Sequence, residues 1–358
     1  RVLREELTGG SAEEGEVTKA HPPFAFMFRY IGAWSGSVEW EDIQQVDAYL
    51  SGRVQNVLGL PQKFLVRHFR TDNFKLFPQE DIAYADIGDP LVWTSFAFIS
   101  DLENHITILE GKFPTVAAST QDSTIDVLIS EPLALELGLQ VGETYIAFAR
   151  RQLEEGAERT VQIPVRIAGV WKATDIEEEF WFYQPGTFDD KLLVPEETFV
   201  GRISPYMDDE VYLGLWYLVM DGSKVYSSDA EPLLTRIVTA QQQAASLLSE
   251  TRLDVSPVDA LRQYRRATRL LTVLLYAFNV PIVGLILAFI GLVVGLSVTR
   301  QRNEIAVLRS RGATSVQIVG IAALESLLMG AVALVVGAPV GATVAHLIGR
   351  ARSFLDFT

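Results

Sequence analysis

Two hydrophobic patterns divide the chain near residue 250. Before that point, short apolar segments alternate with polar turns, which is the pattern of strands and amphipathic helices in a soluble domain. Residues 270–299 carry no charged side chain, although about twenty apolar residues suffice to cross the hydrocarbon core of a bilayer. In residues 314–349, Glu325 is the only residue among Asp, Glu, Lys and Arg. The pattern therefore predicts a soluble domain followed by two membrane-spanning helices, 270–299 and 314–349.

The soluble part, residues 21–255, combines the signals of helices and strands. Apolar residues recur at helical spacing over 40–58 and 230–248, and Ser130 starts a short helix that Gly138 ends. Extended structure is predicted for 24–30, 63–77, 92–99, 126–129, 144–149, 161–170, 179–183, 192–194 and 211–220. We expect an α+β domain, preceded by a mobile lead-in of residues 1–20, which are polar and rich in Gly and Glu.

A helix start is predicted where the soluble part ends. Residues 256–259 combine a capping serine, a proline in the first turn and an acid at the third position. Helical spacing places Leu261 and Tyr264 on one face and four arginines elsewhere. These arginines are Arg262, Arg265, Arg266 and Arg269. Because no stop signal follows, we expect the stalk helix 256–269 to continue directly into the membrane helix 270–299.

Each predicted membrane helix contains a pair of glycines four residues apart. Gly291 and Gly295 lie in the first helix, and Gly337 and Gly341 lie in the second. Such a pair allows another helix to approach closely, but glycine is also common in membrane helices in general. The sequence leaves both interpretations of these helix-packing candidates open.

Charge separates the same two parts of the chain. Residues 251–358 contain 11 arginines and 5 acids, a net charge of +6, so the total of −15 leaves −21 for residues 1–250. A nucleic-acid surface needs clustered Lys and Arg, and this acidic part argues against nucleic acid as a partner. The chain has no cysteine, which excludes disulfides and thiolate metal sites.

The segment 300–313 between the two membrane helices is short and basic. Its four arginines lie close to two membrane ends, which is typical of a cytoplasmic loop. Four more arginines precede the first membrane helix, so charge alone does not fix the orientation. Residues 303–311 predict a short helix with Ile305 and Leu308 on one face, which suits docking into a groove of a soluble partner. A solvated turn is the alternative interpretation.

The run 302–313 resembles the signature that FtsX-like permeases, the MacB-type family of ABC transporters, carry between their second and third transmembrane helices. The residues at the family's typical positions are Arg302, Glu304, Ile305, Leu308, Arg309, Gly312 and Ala313. Ala306 stands where the family often has Gly, and Arg311 where it often has an apolar residue. The resemblance implies a coupling helix that docks on a separate ATP-hydrolysing subunit, with Arg302, Glu304, Ile305, Leu308, Arg309 and Gly312 as the docking residues.

A second, weaker resemblance covers parts of residues 105–172. The segments 109–114, 127–142 and 167–170 are similar to the extracytoplasmic domain of the same family, and their order agrees with the first match. This resemblance implies that residues 21–255 form an extracytoplasmic α+β domain like the periplasmic core of MacB.

The implied function is that of a permease subunit of an ABC exporter. Such a subunit couples ATP hydrolysis on a partner to movement of its outer domain, and family members extrude lipoproteins, lipids, peptides or drugs. The implied partners are an ABC ATP-binding subunit, the lipid bilayer and a second permease half or copy. In the cell membrane, 300–313 would be cytoplasmic and 350–358 would begin an extracytoplasmic loop. Because Arg1 starts no signal-peptide pattern, we expect a further membrane helix upstream.

The residues bear on two other classes of function. A non-transport module that controls a cell-wall hydrolase or a sensor partner would use the same motion, and it stays open. A membrane-anchored enzyme would need a nucleophile and a base, and the sequence shows no catalytic or metal-binding constellation and no Lys-Ser or Lys-Thr phosphate loop. We therefore predict a permease without its own ATPase motifs and without a cofactor. Core packing is the favoured role for the aromatic set Trp171, Trp181, Phe182, Tyr183, Trp216 and Tyr217.

Overall fold

The computed structural model describes residues 21–32, 38, 40–79, 89–120, 122–152, 158–206, 211–300 and 302–355. The predicted mobile lead-in 1–20 lies outside these residues. The chain divides into two compact units, Arg1–Arg269 and Leu270–Thr358, which we call the strand-rich unit and the helical unit. The predicted combination of a mixed α/β part with apolar helices at the C-terminus is confirmed.

The strand-rich unit is built on one sheet. Its strands are β1 Ala25–Ile31, β2 Gln62–Arg70, β3 Phe74–Pro78, β4 Val92–Ile99, β5 Ile106–Gly111, β6 Ile125–Ser130, β7 Thr144–Gln152, β8 Glu158–Ala173, β9 Lys191–Leu193, β10 Leu213–Met220 and β11 Arg252–Val255. They pair in the order β11-β1-β10-β2-β4-β3-β7-β8-β6-β9, and β5 pairs with β8 outside this path. Because β9 also pairs with β4, the six strands β4, β3, β7, β8, β6 and β9 close into a ring.

The described residues of the strand-rich unit form five α-helices before its C-terminal end. They are α1 Trp40–Gly52, α2 Val54–Leu58, α3 Glu131–Leu137, α4 Glu196–Thr198 and α5 Ala230–Leu247. Helix α1 forms because Ile43, Val46 and Leu50 fall on one face, where all three are buried. Helix α3 starts as predicted, since the Ser130 hydroxyl accepts a hydrogen bond from the Leu133 backbone N–H at 3.2 Å, and it ends at Gly138 with φ of 67°.

Apolar side chains cover both faces of the sheet. On one face, α1, α2 and α5 pack over the strands in a cluster that continues into the ring and includes Phe69 and Trp216. On the other face, the segment after β8 folds back over β1, β2 and β10 and buries Trp181, Phe182 and Phe188 against them. The core-packing prediction is confirmed for Trp171, Trp181, Phe182, Trp216 and Tyr217, which are all buried.

Several predicted strands differ from the observed ones. The prediction of a strand at 179–183 is wrong, because these residues form turns whose aromatic side chains pack on the sheet from outside it. The extended stretch 63–77 is two strands, separated by an irregular connection at 71–73. Strands β5 and β11 were not predicted, because they lie at the sheet margins, where half-exposed residues weaken the hydrophobic signal.

Three helices end the chain, and they are α6 Val258–Arg300, α7 Arg302–Ser310 and α8 Ser315–Leu355. Two of them, α6 and α8, are long and apolar enough to cross a membrane. Helix α6 runs without a break from the strand-rich unit into the helical unit. Helix α8 continues through Leu355, so the predicted helix end at Gly349 is wrong. The start of an extracytoplasmic loop over 350–358 stays a prediction. Gly349 does not end the helix because the following residues are compatible with helical structure and contain no proline.

Candidate functional site

Helix α7 is the candidate docking segment. It has nine residues, and at about 100° per residue Arg302, Ile305, Leu308 and Arg309 fall on one side of it, with the backbone position of Glu304 at the margin. Asn303, Val307 and Ser310 occupy the opposite side. The predicted docking residues of this helix therefore share one face, and Leu308 on that face is 41% exposed.

The C-terminal end of α7 is closed by a defined hydrogen-bond pattern. The Ala313 N–H donates to the Leu308 carbonyl at 3.1 Å, and the Gly312 N–H donates to the Arg309 carbonyl at 3.0 Å. These two bonds form a Schellman motif, which requires a left-handed residue after the helix. Gly312 supplies it with φ of 93°. A Cβ at Gly312 would meet no atom within 4 Å, so the requirement concerns the backbone conformation and not the available space.

The start of α8 is fixed next to this turn. The Gln317 side-chain oxygen accepts a hydrogen bond from the Thr314 N–H at 3.0 Å, which is one half of a capping box. The Arg309 guanidinium donates to the Ser315 hydroxyl at 3.2 Å, so a residue of α7 also contacts the first turn of α8. The connection between the two helices is therefore specified by its own hydrogen bonds.

Positive charge surrounds the exposed apolar residues of α7. Arg300, Arg302, Arg309 and Arg311 are exposed. In the described part of the chain none of them forms an ion pair with a carboxylate. An apolar side chain surrounded by guanidinium groups without a carboxylate partner among the described residues is complementary to a groove with an apolar floor and acidic rims.

The four glycines proposed for helix packing lie in open surroundings. A Cβ at Gly291, Gly295, Gly337 or Gly341 would meet nothing within 4 Å. No described residue therefore packs against these glycines. Their role in packing against another helix stays a prediction.

A polar network in the strand-rich unit was not predicted from the sequence. The Asp47 carboxylate of α1 accepts a hydrogen bond from the buried Trp216 indole N–H at 2.8 Å and from the Arg67 guanidinium at 3.1 Å. The Arg67 guanidinium also donates to Glu196 at 2.6 Å. The network joins α1, β2, β10 and α4, and its members are too far apart in the sequence to form a recognisable motif.

His68 is a second buried polar group of this unit. Its Nδ1 lies 2.9 Å from the Phe98 carbonyl oxygen, and its ring packs between Phe182 and Phe188. Burial lowers the pKa of His68 to about 3, and the nearby cations Arg70 and Lys191 also lower it. The histidine is therefore a neutral core residue, and the described residues contain no group of His, Asp and Glu that could hold a metal ion.

Comparison with known proteins locates a family match in the helical part. Residues 275–357 match the model of the FtsX-like permease C-terminal family. This match confirms the resemblance over most of α6 and all of α7 and α8. It includes the candidate docking face and all four glycines. No curated protein matches the chain.

A solved structure with limited similarity carries a related description. It is described as "a domain of a putative Permease protein from Porphyromonas gingivalis", and it shares 13% sequence identity with this chain. The alignment covers 64% of this chain and 86% of that chain, with a TM-score of 0.28. At this TM-score the likeness carries no further conclusion about the present chain.

Proposed function

We propose that this chain is a permease subunit of an ABC exporter and that α7 is the coupling helix on which a separate ATP-binding subunit docks. The observation that carries the proposal is the position of α7 inside the family match, 275–357, between two helices that are apolar enough to span a membrane. Its face with Ile305, Leu308 and two arginines is exposed enough to receive a partner.

The proposed topology puts α7 in the cytoplasm and residues 21–255 outside the cell membrane. A single crossing by α6 would place its two ends on opposite sides of the bilayer. The four arginines near α7 agree with a cytoplasmic location, because short cytoplasmic loops carry an excess of Lys and Arg. Helix α8 would return the chain to the outer side.

The proposed coupling relies on continuous helices. When the ATPase dimer closes, it displaces α7, and the hydrogen-bonded turn at 311–314 passes the displacement to α8. Helix α6, which is unbroken from Val258 to Arg300, transmits movement between the membrane and the outer domain. The glycine pairs at 291/295 and 337/341 would allow close packing against a second permease half or copy.

The docking step is tested by two matched substitutions on α7. Leu308→Asp places a charge in the proposed contact, whereas Val307→Asp places the same charge on the opposite side of the same helix. In proteoliposomes with the partner ATPase, we expect Leu308→Asp to abolish the permease-dependent stimulation of ATP hydrolysis, because a buried unpaired charge opposes binding. We expect Val307→Asp to retain most of it.

Equal stimulation by both variants and the unchanged chain would contradict docking through this face. Equal loss in both variants would indicate that α7 tolerates no charge at all, and Leu308→Ala with Val307→Ala would then decide between the faces. Movement of cargo across the vesicle membrane distinguishes export from the alternative, a signalling module that activates a bound hydrolase or sensor without transport.

A further inference from the structure

The N-terminal turns of α6 carry a one-sided arginine face. At about 100° per residue, Arg262, Arg265, Arg266 and Arg269 fall within an arc of about 100° around the helix axis. We call this the arginine face. All four residues are exposed and belong to the strand-rich unit.

The other side of the same turns is used for packing. Ala260 and Leu261 are buried, and Tyr264 packs against the main apolar cluster of the strand-rich unit. These contacts hold the first turns of α6 against the domain and leave the arginine face turned away from its core. The arginines therefore form a defined surface and not a mobile tail.

The four arginines differ in the partners that the protein itself provides. The Arg262 guanidinium lies 3.3 Å from the Asp259 carboxylate, and that of Arg265 lies 3.5 Å from the Glu231 carboxylate. For the side chains of Arg266 and Arg269, the structure shows no ion pair or hydrogen bond with any described residue. The two arginines nearest the apolar run are thus the two without a carboxylate partner in the described part of the chain.

Distance along the helix places these two side chains at the depth of lipid headgroups. Arg269 directly precedes Leu270, where the apolar run begins, and Arg266 lies about 6 Å above it at 1.5 Å per residue. The headgroup layer on each side of a bilayer is roughly 5 to 7 Å thick. Arg262, about 12 Å above Leu270, lies beyond that layer.

We propose that Arg266 and Arg269 bind the phosphate groups of anionic lipids on the outer side of the membrane. The proposal rests on the proposed function only in requiring that α6 enter a bilayer at Leu270. A guanidinium group binds phosphate with two parallel hydrogen bonds, and the binding surface continues directly into the exposed apolar residues Leu270 and Leu271. This continuity favours lipid over the acidic surface of a second copy.

Lipid binding also accounts for the charge pattern of α6. Both ends of this helix carry arginines, although the positive-inside rule favours them on the cytoplasmic side only. Anionic headgroups would compensate the two unpaired arginines at the outer end. The arginine face would then hold the start of α6 at a fixed depth in the membrane.

The test measures local lipid composition beside the arginine face. The chain has no cysteine, so Val273→Cys gives a single attachment site for a fluorophore on the same side of the helix as the arginine face, about one turn beyond Arg269. The labelled full chain is reconstituted into vesicles of phosphatidylglycerol and phosphatidylcholine, with a headgroup nitroxide quencher on one lipid or the other. We expect about fivefold stronger quenching by phosphatidylglycerol than by an equal fraction of phosphatidylcholine, because each arginine near the surface attracts anionic lipid.

Matched variants show which arginines are responsible. In R266Q/R269Q the preference for phosphatidylglycerol should fall to about onefold, whereas R262Q/R265Q should keep it, because those arginines are paired with carboxylates. Equal quenching by both lipids in the unchanged chain, or loss of the preference in R262Q/R265Q alone, would overturn the proposal. The proposal would also be overturned if R266Q/R269Q keeps the preference for phosphatidylglycerol and dissociates a dimer of the chain. The partner of the arginine face would then be a second copy.

Failure of the proposed function gives a different result. If α6 does not enter the bilayer at Leu270, the fluorophore is quenched by neither labelled lipid, in any variant. Strong but equal quenching by both lipids would retain the membrane helix and reject the lipid selectivity.

Discussion

The two units of this chain use apolar side chains in opposite ways. In the strand-rich unit the large aromatic residues are buried against each other, as Phe69 is between Trp40, Phe98 and Trp216. In the helical unit the apolar residues of α6 and α8 face outward, and Leu285 is 74% exposed. The first unit therefore forms its own core, whereas the second needs a surrounding apolar phase or partner helices.

This difference explains where each unit can carry function. A folded core tolerates few changes, because each buried atom contributes to packing. Among the described residues of the helical unit, α7 is the short polar helix between the two apolar ones, and the proposed docking of a soluble partner relies on it. Lipid tails are about as apolar as leucine, so the outward apolar residues of α6 and α8 would be compatible with a bilayer without packing against each other.

The largest difference between the two units is expected when the same kind of large-to-small substitution is made in each of them. Phe69→Ala should lower the free energy of unfolding of the strand-rich unit by about 3–5 kcal/mol, because it leaves a cavity in the aromatic cluster. Leu285→Ala, the matched change on α6, should leave that free energy unchanged. Denaturant titration of the full chain in micelles, followed by tryptophan emission, measures this unit alone because all six tryptophans lie in residues 1–250. Equal effects would show that the units do not differ in this way.

A smaller loss of stability is expected when the polar network loses Asp47, the carboxylate that binds both Trp216 and Arg67. Asp47→Ala should destabilise the strand-rich unit by about 2–3 kcal/mol, because it leaves the Trp216 indole N–H buried without an acceptor and removes one partner of Arg67. Ser51→Ala is the control, since its hydroxyl makes only a 3.3 Å contact with Asp47. If Ser51→Ala destabilises the unit as much as Asp47→Ala, the central role of the Asp47 carboxylate in the network is contradicted.

Acid should destabilise the strand-rich unit through His68. Its pKa is about 3 in the folded state and about 6.5 in an unfolded chain, so the unfolded state binds the extra proton between these values. The stability contribution is present above pH 6.5 and falls by about 1.4 kcal/mol per pH unit below it. His68→Leu should remove about one proton from the pH dependence of unfolding between pH 6 and pH 4. An unchanged slope in the variant would rule out this role.

The smallest effect is expected in the helical unit, at the turn after α7. Gly312→Ala should cost about 1–2 kcal/mol, because alanine disfavours the left-handed conformation of this position. Nitroxide labels on α7 and on the first turns of α8 should then show a broader distance distribution. Gly320→Ala, a helical glycine with open space, should leave the distribution as it is, and broadening by this control would contradict the specificity of the turn.

The sequence predicted the helical unit better than the strand-rich one. Thirty uncharged residues and a motif such as 302–313 are local signals, so the long apolar helices and α7 could be recognised directly. The contacts of Asp47 with Arg67 and Trp216 depend on strand order, which no local pattern records. The turns at 179–183 resemble a strand in sequence because their aromatic residues are buried by tertiary contacts and not by pairing in the sheet. The continuation of α8 beyond Gly349 was missed because glycine ends a helix only when its backbone adopts a terminating conformation.

The side of the membrane on which α7 lies tests the account most directly. Two single-cysteine variants of the full chain, Ala306→Cys on α7 and Leu135→Cys on α3, are treated in intact cells with a membrane-impermeant maleimide, and then again after permeabilisation. Both positions are exposed. The account predicts that Leu135→Cys is labelled in intact cells and Ala306→Cys only after permeabilisation. Labelling of both positions under the same condition would place α7 on the side of the strand-rich unit and contradict the proposed coupling.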